Sequence, residues 1–241
     1  MDFDVPEEVR TLQSRVRQFI ADEVIPLERH ESDTEGLPTE LVAVLHQKAK
    51  RAGLWAPQLP REYGGLGLET MALCLLFEEA GRSPIGPLAL HCAAPDEGNM
   101  HLLLRAATPE QRRQYLEPLA RGEIRSCFAM TEPAPGAGSD PTLMLTRAER
   151  RGERWVLNGH KWFATGARGA AFAIVAAVTE PNVPAKHGVT LFIVETNTPG
   201  YEFIRSVPTM TGEGQGGHCE LKLSNCAVHE TQVLGGVGNG F

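Results

Sequence analysis

The sequence has few of the features that identify many other classes of protein. Its five cysteines are an odd number without a C-x-x-C pair, which favours reduced thiols over a disulfide framework or a zinc site. Lysine and arginine total 23 against 30 aspartate and glutamate residues, and the net charge of −7 argues against nucleic acid or an anionic membrane as a partner. No apolar run is long enough to cross a bilayer. We therefore expect a cytoplasmic protein that binds a small molecule.

Several catalytic and binding motifs are absent as well. Neither G-x-S-x-G nor H-E-x-x-H occurs, so the sequence gives no support for hydrolase chemistry. The glycine-rich stretches 212–217 and 235–240 lack the Lys-Ser/Thr pair of a P-loop, which favours plain loops, although their backbone amides could still meet a pyrophosphate. His91 and His101 have no second ligand at metal-binding spacing, so we expect no metal site. The acidic N-terminus has no apolar segment typical of a signal peptide.

The first half of the chain has the apolar periodicity of helices. Apolar residues recur at steps of three and four over 6–24, 38–49 and 69–81, and Thr108-Pro109-Glu110 is typical of a helix start that leads to a stop at Gly122. The third of these helices is apolar nearly all round, which predicts a central position. Glu78 and Glu79 are consecutive residues of this helix, so their side chains point about 100° apart. We therefore interpret them as solvated or helix-capping residues and not as a catalytic pair.

From Arg125 onward the apolar period changes to two, which predicts strands. Arg151-Gly152-Glu153 is expected to form one turn, and Asn158-Gly159 is the strongest short hairpin signal in the chain. Further strands are predicted over 171–178, 190–195, 201–207 and 218–223. The sequence therefore predicts an α+β protein with an all-helical N-terminal domain over 1–122 and a middle β domain over 123–241.

Two polar clusters on the β side of this boundary have the composition of a ligand site. One covers 128–140, where two prolines stiffen the backbone and glycines allow a ligand to approach closely. The other covers 160–167, at the end of the expected hairpin. Each places aromatic surface within a few residues of a threonine, which suits a planar heteroaromatic cofactor with apolar faces and a polar edge.

These clusters and several other motifs resemble the acyl-CoA dehydrogenase family over the full length of the chain. The matching segments occur in the family's order: Glu62-Tyr63-Gly64-Gly65-Leu66-Gly67, Glu78-Glu79, Glu110-Gln111 with Tyr115-Leu116, Thr131-Glu132-Pro133 with Gly136-Ala137-Gly138-Ser139-Asp140, Asn158-Gly159-x-Lys161, and Thr165-Gly166-Ala167. Lys161-Trp162-Phe163 and Gly216-Gly217-His218 are most similar to the subgroup of family members ten and eleven and their bacterial relatives. The resemblance implies the acyl-CoA dehydrogenase fold, with a β-barrel-like middle domain.

The resemblance also implies an activity and its partners. Members of the family are oxidoreductases of fatty acid metabolism, in which FAD takes a hydride from the β-carbon of an acyl-CoA while a glutamate removes the α-proton. The product is a trans-2-enoyl-CoA. An electron-transfer flavoprotein is the expected electron acceptor, and a homodimer or homotetramer is the expected assembly.

Site residues follow from the matched motifs. The resemblance implies that Phe128, Met130 and Thr131 line the flavin, with Thr131 bonded to its pyrimidine edge. Phe163 occupies the position where many members place a tryptophan against the ring, and Thr165 is expected to donate its hydroxyl to flavin N5. Ser139 is expected near the thioester end of the CoA ligand.

Two departures from the family pattern affect this assignment. Ala134 and Pro135 are two extra residues before Ser139, compared with the family's usual Thr-Glu-Pro-Gly-Ala-Gly-Ser-Asp. The family's C-terminal helical domain, which supplies the catalytic glutamate, would begin where this chain ends, so the base is expected beyond Phe241. Glu132 and Glu220 do not match it and are interpreted as structural, so no catalytic residue is assigned in this chain, which alone is expected to be inactive.

Three interpretations remain open on this scaffold. The chain is either the flavin- and thioester-binding part of a dehydrogenase or a non-catalytic subunit that binds a ligand or assembles with a partner chain. A third possibility keeps the flavin and changes the reaction to that of an oxidase or monooxygenase. Turnover only after mixing with a second polypeptide would favour the subunit, and oxygen reactivity of the reduced flavin would favour the oxidase.

Overall fold

Helices occupy the first half of the chain in the computed structural model, which describes residues 4–32, 36–136, 138–210 and 214–241. The α-helices are α1 (Glu7–Phe19), α2 (Thr39–Arg51), α3 (Thr70–Ala80), α4 (Gly86–Ala89), α5 (Asp96–Ala106), α6 (Pro109–Gln111) and α7 (Glu117–Ala120). Two π-helical stretches, Ile20–Val24 and Arg112–Leu116, extend α1 and join α6 to α7.

Local sequence signals explain where these helices begin and end. The Thr108 hydroxyl accepts a hydrogen bond from Gln111 N at 3.2 Å, and Gln111 Oε1 accepts one from Thr108 N at 3.0 Å. This reciprocal capping box satisfies two amides that have no partner within the helix. The helical half ends at Gly122, whose φ of +69° suits glycine. The predicted helix starting at Thr108 is therefore confirmed.

The prediction that α3 is central is wrong. Ala72, Leu76 and Ala80 are buried, but Met71 is 63% exposed and Cys74 is exposed too. The face formed by Ala72, Leu76, Glu79 and Ala80 is buried, whereas Leu73, Leu75 and Phe77 are only half-buried, so one side of the helix faces outward. An apolar composition all round the helix did not distinguish a central helix from a peripheral one.

The interpretation of Glu79 as a solvated or capping residue is also wrong. Its side chain is only 5% exposed, and its carboxylate accepts hydrogen bonds from Arg17 Nε at 3.0 Å and Arg17 Nη2 at 2.5 Å. Arg82 lies 3.4 Å from the same carboxylate. Glu78 is exposed, as expected. Glu79 therefore joins α1 to α3 through partly buried hydrogen bonds.

Eight strands form one mixed sheet in the second half of the chain. They are β1 (Ser126–Ala129), β2 (Arg147–Arg151), β3 (Arg154–Thr165), β4 (Phe172–Val178), β5 (Val189–Glu195), β6 (Tyr201–Ser206), β7 (His218–His229) and β8 (Val233–Leu234), with a short helix α8 (Ala185–Gly188) before β5. Their order is β6-β7-β3-β2-β4-β5-β8, and β1 pairs in parallel with β4. Among the described residues no pairing joins β6 to β8, so the sheet is open and does not close into a barrel.

The predicted hairpin at Asn158-Gly159 is wrong, because both residues lie inside β3. The turn that joins β2 to β3 is at Gly152-Glu153, as the other signal predicted, and Gly152 has a φ of +63°. Gly159 is needed for a different reason: a Cβ there would lie 2.2 Å from Thr146 Oγ1. Asn158 Oδ1 accepts a hydrogen bond from Asn225 N at 2.8 Å, so it also serves pairing with β7.

The central strands separate two parts of the hydrophobic core. On β4, Phe172 and Ile174 pack against residues of the helical half, whereas Ala173 and Val175 pack against β3 and β7. This alternation follows from the period of two in a strand and explains why β4 is apolar almost throughout. The α+β arrangement predicted from the sequence is confirmed. The helical half therefore packs against one side of β4.

In the described part of the chain, no helix is both long enough and apolar enough to cross a membrane.

Candidate cofactor and ligand site

A bulge near the end of β3 turns an aromatic ring outward. Lys161 pairs with Leu221 of β7 and Ala164 pairs with Cys219, so β3 has one residue more than β7 between these pairs. Within the bulge, Phe163 has a φ of +49° and its side chain is 41% exposed. Bulges commonly redirect a side chain beside a binding site, and a non-glycine residue at positive φ often marks a functional position. Phe163 is thus held on the surface by the backbone.

The segment after β1 is fixed beside this bulge. Trp162 N donates a hydrogen bond to the Thr131 carbonyl oxygen at 3.0 Å, and Lys161 Nζ donates one to the Met130 carbonyl oxygen at 2.8 Å. Thr131 is half-buried. The two polar clusters that the sequence singled out are therefore adjacent in the fold, although Lys161 lies 31 positions after Met130.

A buried ion pair holds these two segments together. Lys161 Nζ lies 2.9 Å from Glu132 Oε1, and the two side chains are 1% and 3% exposed. The amides of Leu145 and Thr146 also donate to the Glu132 carboxylate, at 2.7 and 2.9 Å. Burial lowers the pKa of Lys161 to about 8 against the opposing effect of Glu132. Burial raises the pKa of Glu132, but its hydrogen bonds and the Lys161 charge outweigh burial, so the net pKa is lowered.

Thr165 lies at the end of β3, opposite a histidine of β7. Thr165 and His218 are paired across the ladder, and the Thr165 hydroxyl is 2.9 Å from His218 Nδ1. Both residues are half-buried. They line a cavity of about 300 Å³ between the helices and the sheet.

Several polar and charged groups line this cavity beside apolar ones. The Asp96 carboxylate accepts hydrogen bonds from Ser126 N at 2.8 Å and Ser126 Oγ at 2.6 Å, and burial raises its pKa despite these bonds. His91 Nε2 lies 2.7 Å from the Leu119 carbonyl oxygen, and burial lowers the pKa of His91 to about 4. His91 is therefore neutral at pH 7. Arg125 and Glu31 also line the cavity.

Phe128 and Met130 line a different, mainly apolar space. Together with Met144, Ala176 and Phe241 they surround a cavity of about 260 Å³. Phe128 also contacts a third cavity, of about 330 Å³, on the side of α5. The two residues thus lie on the side of the helices, whereas Phe163 is exposed on the bulge.

Ser139 is exposed and follows the loop that contains the two extra residues. Glu132 and Gly138 exchange two backbone hydrogen bonds of 3.1 Å, which closes this loop on itself and places Ala134 and Pro135 outside the pairing. Ala137 lies outside the described residues. No contact of Ser139 with the other five predicted site residues is found in the described part of the chain, so its role stays a prediction.

Both carboxylates predicted to be structural have basic side chains as partners. Glu220 accepts a hydrogen bond from Arg205 Nε at 2.6 Å and lies 2.7 Å from His160 Nε2, and Glu132 is paired with Lys161. Among the described residues no group of three or more His, Cys, Asp or Glu side chains is arranged to hold a metal ion. The six predicted site residues thus offer hydroxyl groups and apolar surface.

His218 and Asp96 were not identified as site residues from the sequence. The Gly216-Gly217-His218 segment indicated only a subgroup, and nothing in a single sequence shows that β7 pairs with β3 so that His218 meets Thr165. Asp96 is the first residue of a helix, where an acidic residue is usual, so its position gave no signal of a cavity.

Comparison with known proteins gives two family models that match consecutive parts of the chain. "Acyl-CoA dehydrogenase, N-terminal domain" matches residues 6–123 and "Acyl-CoA dehydrogenase, middle domain" matches residues 127–226. The probable acyl-CoA dehydrogenase FadE2 of Mycobacterium tuberculosis is 36% identical over all of this chain and 61% of its own length. Acyl-CoA dehydrogenase family member 10 of Mus musculus is 35% identical over 97% of the chain and 23% of its own length.

Solved structures show the same similarity in three dimensions. A putative acyl-CoA dehydrogenase from Mycobacterium abscessus superposes with a TM-score of 0.90 and 35% identity, covering 99% of this chain and 62% of the other. A glutaryl-CoA dehydrogenase from Mycobacterium smegmatis in complex with FADH2 superposes with a TM-score of 0.76 and 28% identity, covering 95% and 55%. The chain thus spans about three fifths of the length of the bacterial relatives it matches.

Proposed function

The chain belongs to the acyl-CoA dehydrogenase family, and from this membership we propose that it forms the FAD- and thioester-binding part of an enzyme that oxidises an acyl-CoA to a trans-2-enoyl-CoA. The observation that supports this most directly is the outward ring of Phe163 on its bulge, with half-buried Thr131 hydrogen-bonded to the adjacent Trp162 amide and half-buried Thr165 two residues further along β3. An exposed aromatic ring next to directed hydroxyls is what a planar cofactor requires.

The residues present fit FAD. The isoalloxazine system is flat and apolar on its faces, with hydrogen-bonding atoms along its edges, and Phe163 offers an exposed ring for one face. Thr131 and Thr165 each carry a hydroxyl that donates one hydrogen bond and accepts others. We assign Thr131 to the pyrimidine edge and Thr165 to N5. Phe128 and Met130 are assigned to the apolar wall beside the flavin, and Ser139 to the thioester end of the CoA ligand.

The contribution of this chain to the reaction is mainly positional. When bound, FAD supplies the hydride acceptor. The Glu132–Lys161 pair and the bond from Trp162 N to the Thr131 carbonyl oxygen hold the backbone of Thr131 against the β3 bulge before any ligand arrives. Preorganised donors stabilise developing charge without reorganisation. Phe128 and Met130 keep water from the side of the helices.

None of the carboxylates near the assigned residues is proposed as the base. Glu132 is bound by Lys161, Glu220 is bound by Arg205, and Asp96 accepts two hydrogen bonds from Ser126. A base that removes the α-proton has to be unengaged and near the substrate. We place it beyond Phe241, in the part of the longer relatives that this chain does not span.

Substrate and partners follow from the same proposal. We expect an acyl-CoA substrate, an electron-transfer flavoprotein as acceptor, a homodimer or homotetramer, and a cytoplasmic location. The division into a helical domain over 1–122 and a β domain over 123–241 is proposed as well, with the assigned residues on the β side of it.

The reaction is tested in a protein that continues past Phe241 as the longer relatives do. Under anaerobic conditions, addition of an acyl-CoA should bleach the yellow absorbance of bound FAD and yield an enoyl-CoA. Thr165→Val should slow the bleaching, whereas Thr11→Val, at an exposed position of α1, should leave it unchanged. Unaltered absorbance with acyl-CoAs of short, medium and long chains would contradict the proposal.

A further inference from the structure

His218 is held directly against the hydroxyl of Thr165. The two residues face each other in the antiparallel ladder of β3 and β7, and the Thr165 hydroxyl oxygen is 2.9 Å from His218 Nδ1. Neither of them belongs to a buried ion pair in the described structure, and the histidine is not among the residues that the family motifs indicate for the flavin. Its position beside a proposed flavin ligand therefore calls for a physical explanation.

Backbone contacts fix the imidazole in this place. Gly166 N donates to the Gly217 carbonyl oxygen at 2.7 Å, and Arg168 N donates to the Gly216 carbonyl oxygen at 3.0 Å. A Cβ on Gly216 would lie 2.9 Å from Gly166 Cα, so glycine permits this close approach of the two chains. The start of β7 is thus fastened to the end of β3 around the pair, and His218 has little freedom to move away from Thr165.

The chemistry of a hydroxyl limits what this pair can do. A threonine has one hydrogen to donate and two lone pairs that accept, and a neutral imidazole carries its hydrogen on only one nitrogen. If Nδ1 accepts from Thr165, the only hydrogen of the hydroxyl is used within the pair. If Nδ1–H donates to Thr165, the hydroxyl hydrogen is available for a ligand, and a hydroxyl that accepts a bond is also a stronger donor.

We propose that His218 is a positioning residue whose Nδ1–H donates to Thr165 Oγ1 and so directs the Thr165 hydroxyl hydrogen toward N5 of the flavin. This inference rests on the proposed function, because it assumes that Thr165 donates to flavin N5. It makes His218 a part of the cofactor site that acts only through Thr165. It also fixes the tautomer, since the neutral imidazole then carries its hydrogen on Nδ1.

The tautomer is measured first, on the chain without any cofactor. Nitrogen-15 NMR of the histidine side chains, at a pH above the ordinary histidine pKa of about 6.5, distinguishes the protonated from the unprotonated ring nitrogen. We expect His218 to carry its hydrogen on Nδ1 and to lose this preference in Thr165→Val. His160, whose Nε2 contacts the Glu220 carboxylate at 2.7 Å, serves as an internal reference with its hydrogen on Nε2. A His218 that is protonated on Nε2 in both proteins would overturn the proposal.

The effect on the cofactor is measured next, by titration of the chain with FAD. Loss of one oriented hydrogen bond should weaken FAD binding about threefold to tenfold in His218→Leu. His218→Asn keeps an N–H near the place of Nδ1 and should restore affinity to within about twofold of the unmodified chain. In a Thr165→Val background, His218→Leu should have no further effect, because a residue that acts only through Thr165 has nothing left to act on.

The outcomes separate this inference from the proposed function. If the unmodified chain binds FAD but His218→Leu weakens binding equally with and without Thr165, His218 acts independently of Thr165 and the inference is wrong. If His218→Asn is as weak as His218→Leu, the N–H is not the group that matters, and the inference is wrong again. A chain that binds no FAD at all, whatever the tautomer of His218, contradicts the proposed function and with it the role of His218 toward the flavin.

Discussion

At the scale of single residues, Lys161 and Glu132 form a buried ion pair that their sequence motif alone does not indicate. The lysine is one of the largest fully buried side chains of the described chain, and its ammonium group has only a carboxylate and a carbonyl oxygen for partners. A buried charge is tolerated when it is paired and hydrogen-bonded, and removal of one partner leaves the other without compensation.

Replacement of Lys161 by Met should therefore destabilise the protein strongly. The Glu132 carboxylate would remain buried without its countercharge, which typically costs about 3–5 kcal/mol of unfolding free energy. Urea denaturation measures this. Arg151→Met is the matched control: its partner Glu149 is exposed and such surface pairs contribute about 1 kcal/mol or less. Equal losses for the two variants would show that the buried pair does not hold the β1 and β3 segments together.

Two histidines near the start of β1 also depart from ordinary behaviour. Burial lowers the pKa of His46 to about 4, with a further contribution from His91, and burial lowers the pKa of His91 to about 4. Both rings pack against Trp55, with centroids at 4.7 Å for His46 and 4.5 Å for His91. The folded protein therefore keeps both rings neutral well below the pH at which an unfolded chain protonates them.

This predicts acid destabilisation in a defined range of pH. The folded pKa lies below the unfolded value of about 6.5, so the unfolded state binds protons first as the pH falls, and stability is lost between about pH 6.5 and pH 4. The loss is at most about 3 kcal/mol for each histidine. Urea denaturation at several pH values should show a shallower decline in His91→Gln, whereas His30→Gln, at an exposed histidine, should follow the unmodified protein. An identical slope in all three proteins would contradict the pKa of His91.

Asp96 has the opposite effect on the pH dependence of stability, so the unmodified protein alone does not report the histidines. Burial raises the pKa of Asp96, so the folded state binds a proton more readily than the unfolded state and gains stability as the pH falls. The decline expected from the histidines is reduced by this contribution. The difference between His91→Gln and the unmodified protein removes the contribution of Asp96 and reports His91 together with its effect on the pKa of His46.

At the scale of elements, β3 shows what local sequence can and cannot indicate. The turn at Gly152 is predicted and present. A tight turn between two alternating segments needs a residue that accepts positive φ, and this requirement is local to the turn. Asn158-Gly159 carries the same local signal, yet it lies inside the strand. Its glycine is required by Thr146, 13 residues earlier in the chain, and a contact of that kind is invisible to a reading of neighbouring residues.

Gly159→Ala tests this difference against Gly152→Ala. An added Cβ at position 159 would lie 2.2 Å from Thr146 Oγ1 in the interior, whereas at position 152 it would meet nothing within 4 Å. We expect Gly152→Ala to cost about 1 kcal/mol for its positive φ, and Gly159→Ala to cost about 3 kcal/mol or more through overpacking. Thermal and urea unfolding measure both. If Gly152→Ala were the more damaging variant, the placement of Gly159 within the strand would be wrong.

At the scale of the whole molecule, the order of elements was predictable and their packing was not. The change of apolar period near Arg125 separates helices from strands, and a period of 3.6 or 2 is written in consecutive residues. The exposed side of α3 and the burial of Glu79 depend instead on which helix lies next to which, and α1 is more than 50 residues away in sequence. The same reason explains why nothing in the sequence indicated His218 beside Thr165, for which only the family resemblance implied a role.

The two halves of the molecule are closely joined. The Gln111 side chain, which caps α6, donates to the carbonyl oxygens of Thr231 and Val233 at 2.8 and 2.9 Å. Tyr115 of the same helical segment donates to Glu195 at 3.0 Å, and its ring packs against Phe172 of β4. The helices therefore support the sheet from behind while the β3 bulge and Thr131 remain available for a ligand.

The outward ring of Phe163 is proposed to form one wall of a flavin site. Titration of the 241-residue chain with FAD, followed by flavin fluorescence, should give weak but saturable binding. Phe163→Ser should weaken it about tenfold or more, because the variant loses both the stacking and the apolar surface of the ring. Phe203→Ser, at a phenylalanine that is 43% exposed on β6, should leave the affinity unchanged. Absence of binding, or equal losses for the two variants, would contradict the claim.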